Sequence, residues 1–311
     1  MSDRILIIGG GITGLSCAAT LRAVGFSPIV VDKGRGIGGR LSTRRSDHGT
    51  QFDHGAQYIT AKTEPFRQFL DMAEAANAVE RWDEDHTGWF VGTPGMSSLA
   101  KYMGAGIDVR SQIQVTSIRN TGQDIHVFSQ EDTYVCDRLV VAIPAPQARQ
   151  LLVNEDALTE DLGKVEMMPC LTLMAAFQSD VVPHFKMRRR EEDALSWIVQ
   201  DSHKPSRQTK NCWVAQANPT WSKIHLEENL ETLAQTMLPL LCEQIGIPIE
   251  DNILAISHRW RYATASKMLG KQFLKTPSGQ IYVGGDWCCG ARVESAWMSG
   301  TAIAKDILGS I

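Results

Sequence analysis

Three glycines and one acid carry the first chemical signal: Gly9-x-Gly11-x-x-Gly14, with Asp32 beyond them. In such an array the first glycine permits a tight turn, the second lets backbone approach a pyrophosphate, and the third lets a helix pack closely on a strand. A helix N-terminus at this loop attracts the anion. A carboxylate at Asp32 can accept both hydroxyl protons of an adenosine ribose and would repel a 2′-phosphate. A second constellation runs Asp32-Lys33-Gly34, Gly38-Gly39-Arg40, Ser42-Thr43 and Asp53-x-Gly55-Ala56-Gln57-Tyr58. A third lies near the C-terminus: Gly284-Gly285-Asp286-Trp287, then Ala291-Arg292-Val293-Glu294-Ser295-Ala296 opening a helix. There is no Gly-x-Ser-x-Gly, no His or carboxylate cluster with metal spacing, and the 8 histidines are scattered. That pattern offers no acid–base dyad and no metal, and fits hydride transfer better than hydrolysis or phosphoryl transfer.

These residues need elements to hold them. Ile5–Ile8 is an apolar, β-branched run ending at glycines, the mark of a strand covered on both faces, and a helix is expected over Ile12–Val24. With a strand at Ile29–Val31, the first 32 residues make one right-handed βαβ unit. Leu139–Ile143 and Ile281–Val283 repeat the strand signature and join the same sheet. Residues 113–135 alternate apolar and polar around turns and predict an antiparallel meander. Leu171–Phe177, Leu195–Val199, Cys212–Ala217 and Ile253–Trp260 predict a second sheet, with an amphipathic helix over Leu226–Ile245 packed on it.

Composition bounds the class. The chain has 311 residues, 43% hydrophobic and 21% charged, which excludes disordered, collagen-like and coiled-coil readings. The 31 bases and 35 acids leave a net charge of −4 with no polybasic run, so a small-molecule partner is expected rather than nucleic acid or an anionic membrane. The 7 cysteines form no C-x-x-C pair and point to a reducing compartment. The uncharged stretch Ile5–Leu21 is shorter than the ~20 residues a bilayer requires and holds four glycines, so it is read as strand and helix, and the protein as cytoplasmic.

The run D-x-G-x-x-x-G-G-R after a βαβ unit resembles the FAD-binding signature of the amine oxidase, phytoene desaturase and protoporphyrinogen oxidase superfamily. Within it, D-H-G-A-Q-Y-I-T (53–60), T-P-G-M-S-S-L (93–99), H-R-W-R-Y-A (258–263) and G-G-D-W (284–287) are most similar to the bacterial renalases. The resemblance implies an α/β fold, α+β overall: a Rossmann-like FAD-binding domain with a parallel sheet and an antiparallel meander, interleaved with a substrate domain of mixed or antiparallel sheet and helices. The expected boundaries are 1–61, 96–165 and 264–311 for the first and 62–95 and 166–263 for the second. It implies non-covalent FAD held by Gly9, Gly11, Ile12, Thr13, Gly14, Asp32, Lys33, Gly39, Arg40, Ala56, Gln57, Val115, Gly285, Asp286, Arg292, Val293, Glu294 and Ala296. It implies oxidation of 2-dihydro isomers of NAD(P) to NAD(P)⁺, with O₂ taking the electrons and giving H₂O₂.

The expected substrate contacts are Gln57, Tyr58 and Thr60 after the D-x-G turn, Met96 in the P-G-M loop, His258, Tyr262, and Trp287 beside the flavin. Trp260 is expected in the core, Arg188-Arg189-Arg190 beside Glu191-Glu192-Asp193 in a solvated turn, and Cys288-Cys289 as reduced thiols. The nearest rival is a flavin amine oxidase, and a desaturase of the same superfamily or a non-enzymatic flavin-binding protein are the others.

Overall fold

The apolar run Ile5–Ile8 is buried on both faces because it is the interior of a six-stranded sheet. Ile29–Asp32 pairs with it in parallel, Leu6 opposite Ile29 and Ile8 opposite Val31. Arg138–Val141 pairs on its other side, Ile5 opposite Arg138. Asp108–Ser111 and Ile281–Val283 extend the parallel sheet outward, and the short antiparallel strand Leu274–Lys275 borders it. The computed structural model describes residues 3–46, 49–82, 88–178, 185–208 and 210–310.

A parallel sheet needs cover on both faces. On one, Cys17, Ala18 and Leu21 of helix Ile12–Ala23 and Ile303, Ala304 and Ile307 of helix Val293–Gly309 pack against Ile5, Ile7, Val30 and Val140. On the other, Leu6, Ile8, Leu139 and Val141 meet Ile125, Val127 and Cys136. These last belong to the predicted meander, strands Val115–Asn120, Ile125–Ser129 and Thr133–Cys136, whose alternation buries one face against the sheet.

The second sheet is antiparallel, in the order Met187–Arg189, Leu195–Gln200, Cys212–Ala217, Glu166–Phe177, Asn252–Lys267. Leu233, Met237 and Leu241 of helix Leu230–Ile245 cover Leu171, Leu173, Trp213 and Ala215 on one face. The helix starts four residues later than expected because the Asn229 side chain caps it, accepting from Glu231 N at 2.8 Å. Asn252–Lys267 outruns its predicted end because it stays paired along Glu166–Phe177, from Asn252 opposite Phe177 to Lys267 opposite Glu166. The Arg188–Arg190 segment is a correction: Met187–Arg189 is an edge strand rather than a turn, with Arg188 opposite Ile198.

Candidate active site

The glycine loop leaves space at the end of Ile5–Ile8. Gly9 takes φ +109°, where an L side chain is strained, and donates its N–H to Val31 O at 2.8 Å. A Cβ on Gly14 would collide with the Gly9 carbonyl oxygen, so its role is close packing of helix on strand, and it does not line the cavity. At Gly11, by contrast, an added Cβ would meet nothing within 4 Å. It caps helix Ile12–Ala23 with no side chain on the first turn, so the N–H groups there stay available to an anion. The Asp32 carboxylate accepts from Gly10 N and Gly34 N, both at 2.6 Å, which fixes its orientation. A carboxylate offers about four acceptor positions, so ribose hydroxyls can still bind it. Arg40 is gripped bidentately by Asp286 at 2.6 and 2.8 Å and donates to Ala263 O at 2.7 Å. Fold and cradle therefore fit a dinucleotide running from the glycine loop to the Gly285-Asp286 turn.

One cavity of about 2310 Å³ contains all of this, more than twice the ~1,000 Å³ upper end for a single small-molecule site. Among the expected cofactor contacts, Gly9, Gly11, Ile12, Thr13, Asp32, Lys33, Gly39, Arg40, Ala56, Gln57, Val115, Gly285, Asp286, Arg292, Val293 and Ala296 line it. Glu294 does not, which corrects the expectation: its buried carboxylate accepts from Lys62 N, Thr63 N and the Thr63 hydroxyl, fastening helix Glu64–Ala75 to helix Val293–Gly309. Among the expected substrate contacts, Gln57, Tyr58, Thr60, His258 and Tyr262 line the cavity, whereas Trp287 adjoins it but is fully buried in the core. Met96 is corrected as well. It is fully buried in the core beside Phe52 and Leu99, with its sulfur accepting from Gly92 N at 3.3 Å. Trp260, expected in the core, lines the cavity instead, its indole N–H donating to His54 O at 2.8 Å.

Two features, one behind the wall and one in it, carry no motif in the sequence. The first is a buried charge cluster beneath Gln57. Lys204 Nζ donates to Asp201 Oδ1 at 2.6 Å and Gln57 Oε1 at 2.9 Å and lies 3.6 Å from Asp53 Oδ2. Arg207 pairs with Asp53 and donates to Gly92 O. Burial raises the Asp201 carboxyl to about 6 against the pull of Lys204. Burial would raise Asp53 too, but Lys204 and Arg207 more than offset it and hold it below the usual range. The Gln57 amide N–H groups go to Asp53 O and Gly55 O, so its side chain is a fixed wall.

The second is a ring cluster. His54 lies edge-on to His258 at 4.8 Å and stacks on Trp260 at 5.3 Å, and all three face the cavity. Burial, with the nearby Arg44 charge, pushes both imidazoles from 6.5 down to about 4. The folded pair stays neutral where the unfolded chain takes up protons. Folding carries no penalty above about pH 6.5 and loses stability as pH falls toward 4. At ~1.4 kcal/mol per unit, and with a discount because His258 is partly exposed, the loss is on the order of 3 kcal/mol at pH 4.5. Thermal midpoints from pH 7.5 to 4.5 test this: His54→Gln should flatten the decline, and superimposable slopes would refute it.

Charge is unevenly distributed over these walls. Among the described residues, Lys33, Arg35 and Arg40 follow the strand Ile29–Asp32, Lys101 lies on helix Ser97–Gly104, Arg292 precedes helix Val293–Gly309, and Arg44, Arg45, Arg189, Arg259 and Arg261 come from the 43–53 hairpin and the second sheet. Only Asp32, Glu191 and Asp286 oppose them. A chain of net charge −4 thus lines its cavity with ten cations. No described group of His, Cys, Asp and Glu could hold a metal, and no described helix is long and apolar enough to cross a membrane.

Comparison with known proteins agrees with this geometry. The model of an NAD(P)-binding Rossmann-like domain matches residues 7–73, and that of flavin containing amine oxidoreductases matches 72–308. Renalase of Mus musculus is 25% identical over 292 residues, covering 84% of this chain and 85% of that protein. A flavin-containing amine oxidase of Oncorhynchus mykiss is 38% identical over 55 residues, 18% of this chain and 10% of its own length. Among solved structures, a putative protoporphyrinogen oxidase from Exiguobacterium sp. superposes with TM-score 0.81 at 14% identity, covering 100% of both chains. A putrescine oxidase redesigned in its cofactor binding superposes at 0.74 and 14%, covering 99% of both. With the second family model spanning most of the sequence and the cradle fitting the cofactor, the chain belongs to the flavin containing amine oxidoreductases and is an oxidoreductase with FAD as its cofactor.

Proposed function

We propose that this oxidoreductase oxidises dihydropyridine nucleotides, the 2-dihydro isomers of NAD(P), to NAD(P)⁺, with dioxygen as the final acceptor. The observation that carries the reading is the cationic cavity: of its ten bases Arg40, Arg189 and Arg261 are paired with Asp286, Glu191 and Glu227, which leaves seven bases facing Asp32 among the described residues. A protonated amine would be repelled there, whereas a dinucleotide bearing two or more negative phosphates is drawn in and concentrated. The similarity to a renalase over most of both chains supports the same reading.

Bound FAD supplies the hydride acceptor and hands the electrons to dioxygen. The chain's own part is placement and shielding. A dihydropyridine already carries a transferable hydride, so the walls need only hold its reactive carbon ~3–3.5 Å from the acceptor and keep water out. Trp287 supports the turn from behind: it is fully buried in the core, and its indole N–H donates to Ile143 O at 3.1 Å, which holds the Gly285-Asp286 turn in place. Tyr58 is stacked on Trp89 with ring centroids 3.7 Å apart, which fixes the orientation of its ring in the wall.

Anaerobic mixing tests the proposal. The isomers produced by borohydride reduction of NAD should bleach the yellow flavin band rapidly, while ordinary β-NADH and simple amines leave it. Bleaching by amines and none by the isomers would reverse the assignment.

A further inference from the structure

One corner of the cavity is built for more than a wall. Arg44 lies on the Thr43–Arg45 strand, opposite Phe52 of Gln51–Asp53, and the chain leaves that hairpin directly into His54. From the second sheet, Asn252–Lys267 presents His258 and Trp260 to the same place. The rings are mutually locked: His258 meets Trp260 edge-on at 4.3 Å, and Trp260 holds the His54 carbonyl.

Two unmet demands remain there. His54 is only 8% exposed, yet its Nδ1 has no hydrogen-bond partner. A buried polar atom left unpaired is costly, so it marks a place where a partner is missing. Arg44 is half-buried and lines the cavity, and among the described residues its guanidinium has neither an ion pair nor a hydrogen bond. Arg40, by contrast, is neutralised by Asp286, Arg189 by Glu191 and Arg261 by Glu227. With both imidazoles neutral, each ring keeps one N–H donor and one acceptor nitrogen.

The geometry points to Arg44, His54 and His258 as a second anion subsite, distinct from the glycine cradle, that receives a phosphate of the substrate. Arg44 supplies the charge and the imidazole N–H groups supply neutral donors. Neutral donors are suited to this task, because they bind phosphate oxygens without adding cations that would repel Arg44. The subsite deepens the dinucleotide reading and rests on it for the identity of the occupant; the demand for an anion stands on the corner's own chemistry. The FAD diphosphate has the glycine loop and its helix N-terminus, so the anion taken here is one brought by the substrate.

The test uses the FAD-loaded protein in two arms. In the first, inorganic pyrophosphate is titrated while indole fluorescence is followed, since Trp260 is part of the corner. Saturable binding is expected, weakened about tenfold in Arg44→Met and partly recovered in Arg44→Lys, as loss of a charge-assisted contact predicts. In the second, borohydride-reduced NAD isomers are compared anaerobically with an N-alkyl dihydronicotinamide carrying no phosphate. Arg44→Met should raise the half-saturating concentration of the phosphate-bearing donor about tenfold more than that of the phosphate-free one. Equal losses for the two donors, or pyrophosphate binding that is absent or indifferent to Arg44, would overturn the subsite. If no dihydropyridine reduces the flavin while pyrophosphate still depends on Arg44, the proposed reaction falls and the anion site stands.

Discussion

Replacing Lys204 with methionine is expected to lower stability by about 3–5 kcal/mol, the cost of stranding buried charge. Asp53 and Asp201 are fully buried, and Lys204 is the cation placed between them, 2.6 Å from one and 3.6 Å from the other. Methionine fills the volume but leaves Arg207 to neutralise two carboxylates from the Asp53 side alone. Thermal unfolding of the FAD-loaded protein should fall on the order of 10 °C at pH 7. The deficit should narrow toward pH 5: without the ammonium, the folded acids bind protons more tightly than the unfolded ones, so stability falls as pH rises. Adding Asp201→Asn to the methionine variant should restore more than half of the loss, because the pair is removed together. A single-variant loss below about 1 kcal/mol, or no recovery in the double variant, would show that the cluster contributes little.

Gly300→Ala carries the second large effect, and two terms of opposite sign meet in it. Alanine favours an exposed helix interior over glycine by about 1 kcal/mol. At Gly300, however, a Cβ would overlap the Thr13 carbonyl oxygen and the Ser16 hydroxyl and sit 2.9 Å from the Thr13 carbonyl carbon. Those atoms belong to the helix Ile12–Ala23 that opens on the cradle, and Ser16 already binds across the crossing to Trp297 O at 3.1 Å. Overpacking of this kind costs about 1–3 kcal/mol and is relieved only by shifting a helix. Net destabilisation is expected together with at least a tenfold loss of FAD affinity, since the first turn must move to make room. Gly309→Ala, at the end of the same helix with nothing within 4 Å, should be neutral or slightly stabilising. Equal effects at the two positions would mean that helix propensity, not the crossing, governs this helix.

The sequence by itself determined the local logic of the site. Strand Ile5–Ile8, the glycine loop, helix Ile12–Ala23 and the acid at Asp32 are adjacent in the chain, and each demand on them, a positive φ, a close approach, an apolar period, is met by residue type. The four longer strands of the second sheet were legible for the same reason, while Met187–Arg189 was not, because its basic residues read as a solvated turn. Met96 and Glu294 sit in motifs and yet turn away from the cavity. Residue type states what a side chain can do, but the direction it points depends on neighbours from other elements, here Gly92 for one and Lys62 and Thr63 for the other. Tertiary structure alone decided the rest: His54 against His258, Asp53 against Lys204 and Arg207, and basic residues from separate loops, the 43–53 hairpin and the second sheet gathered around one cavity in an acidic chain. Periodicity and propensity act within a turn or a strand, whereas charge compensation and ring packing are settled only where segments remote in sequence cross.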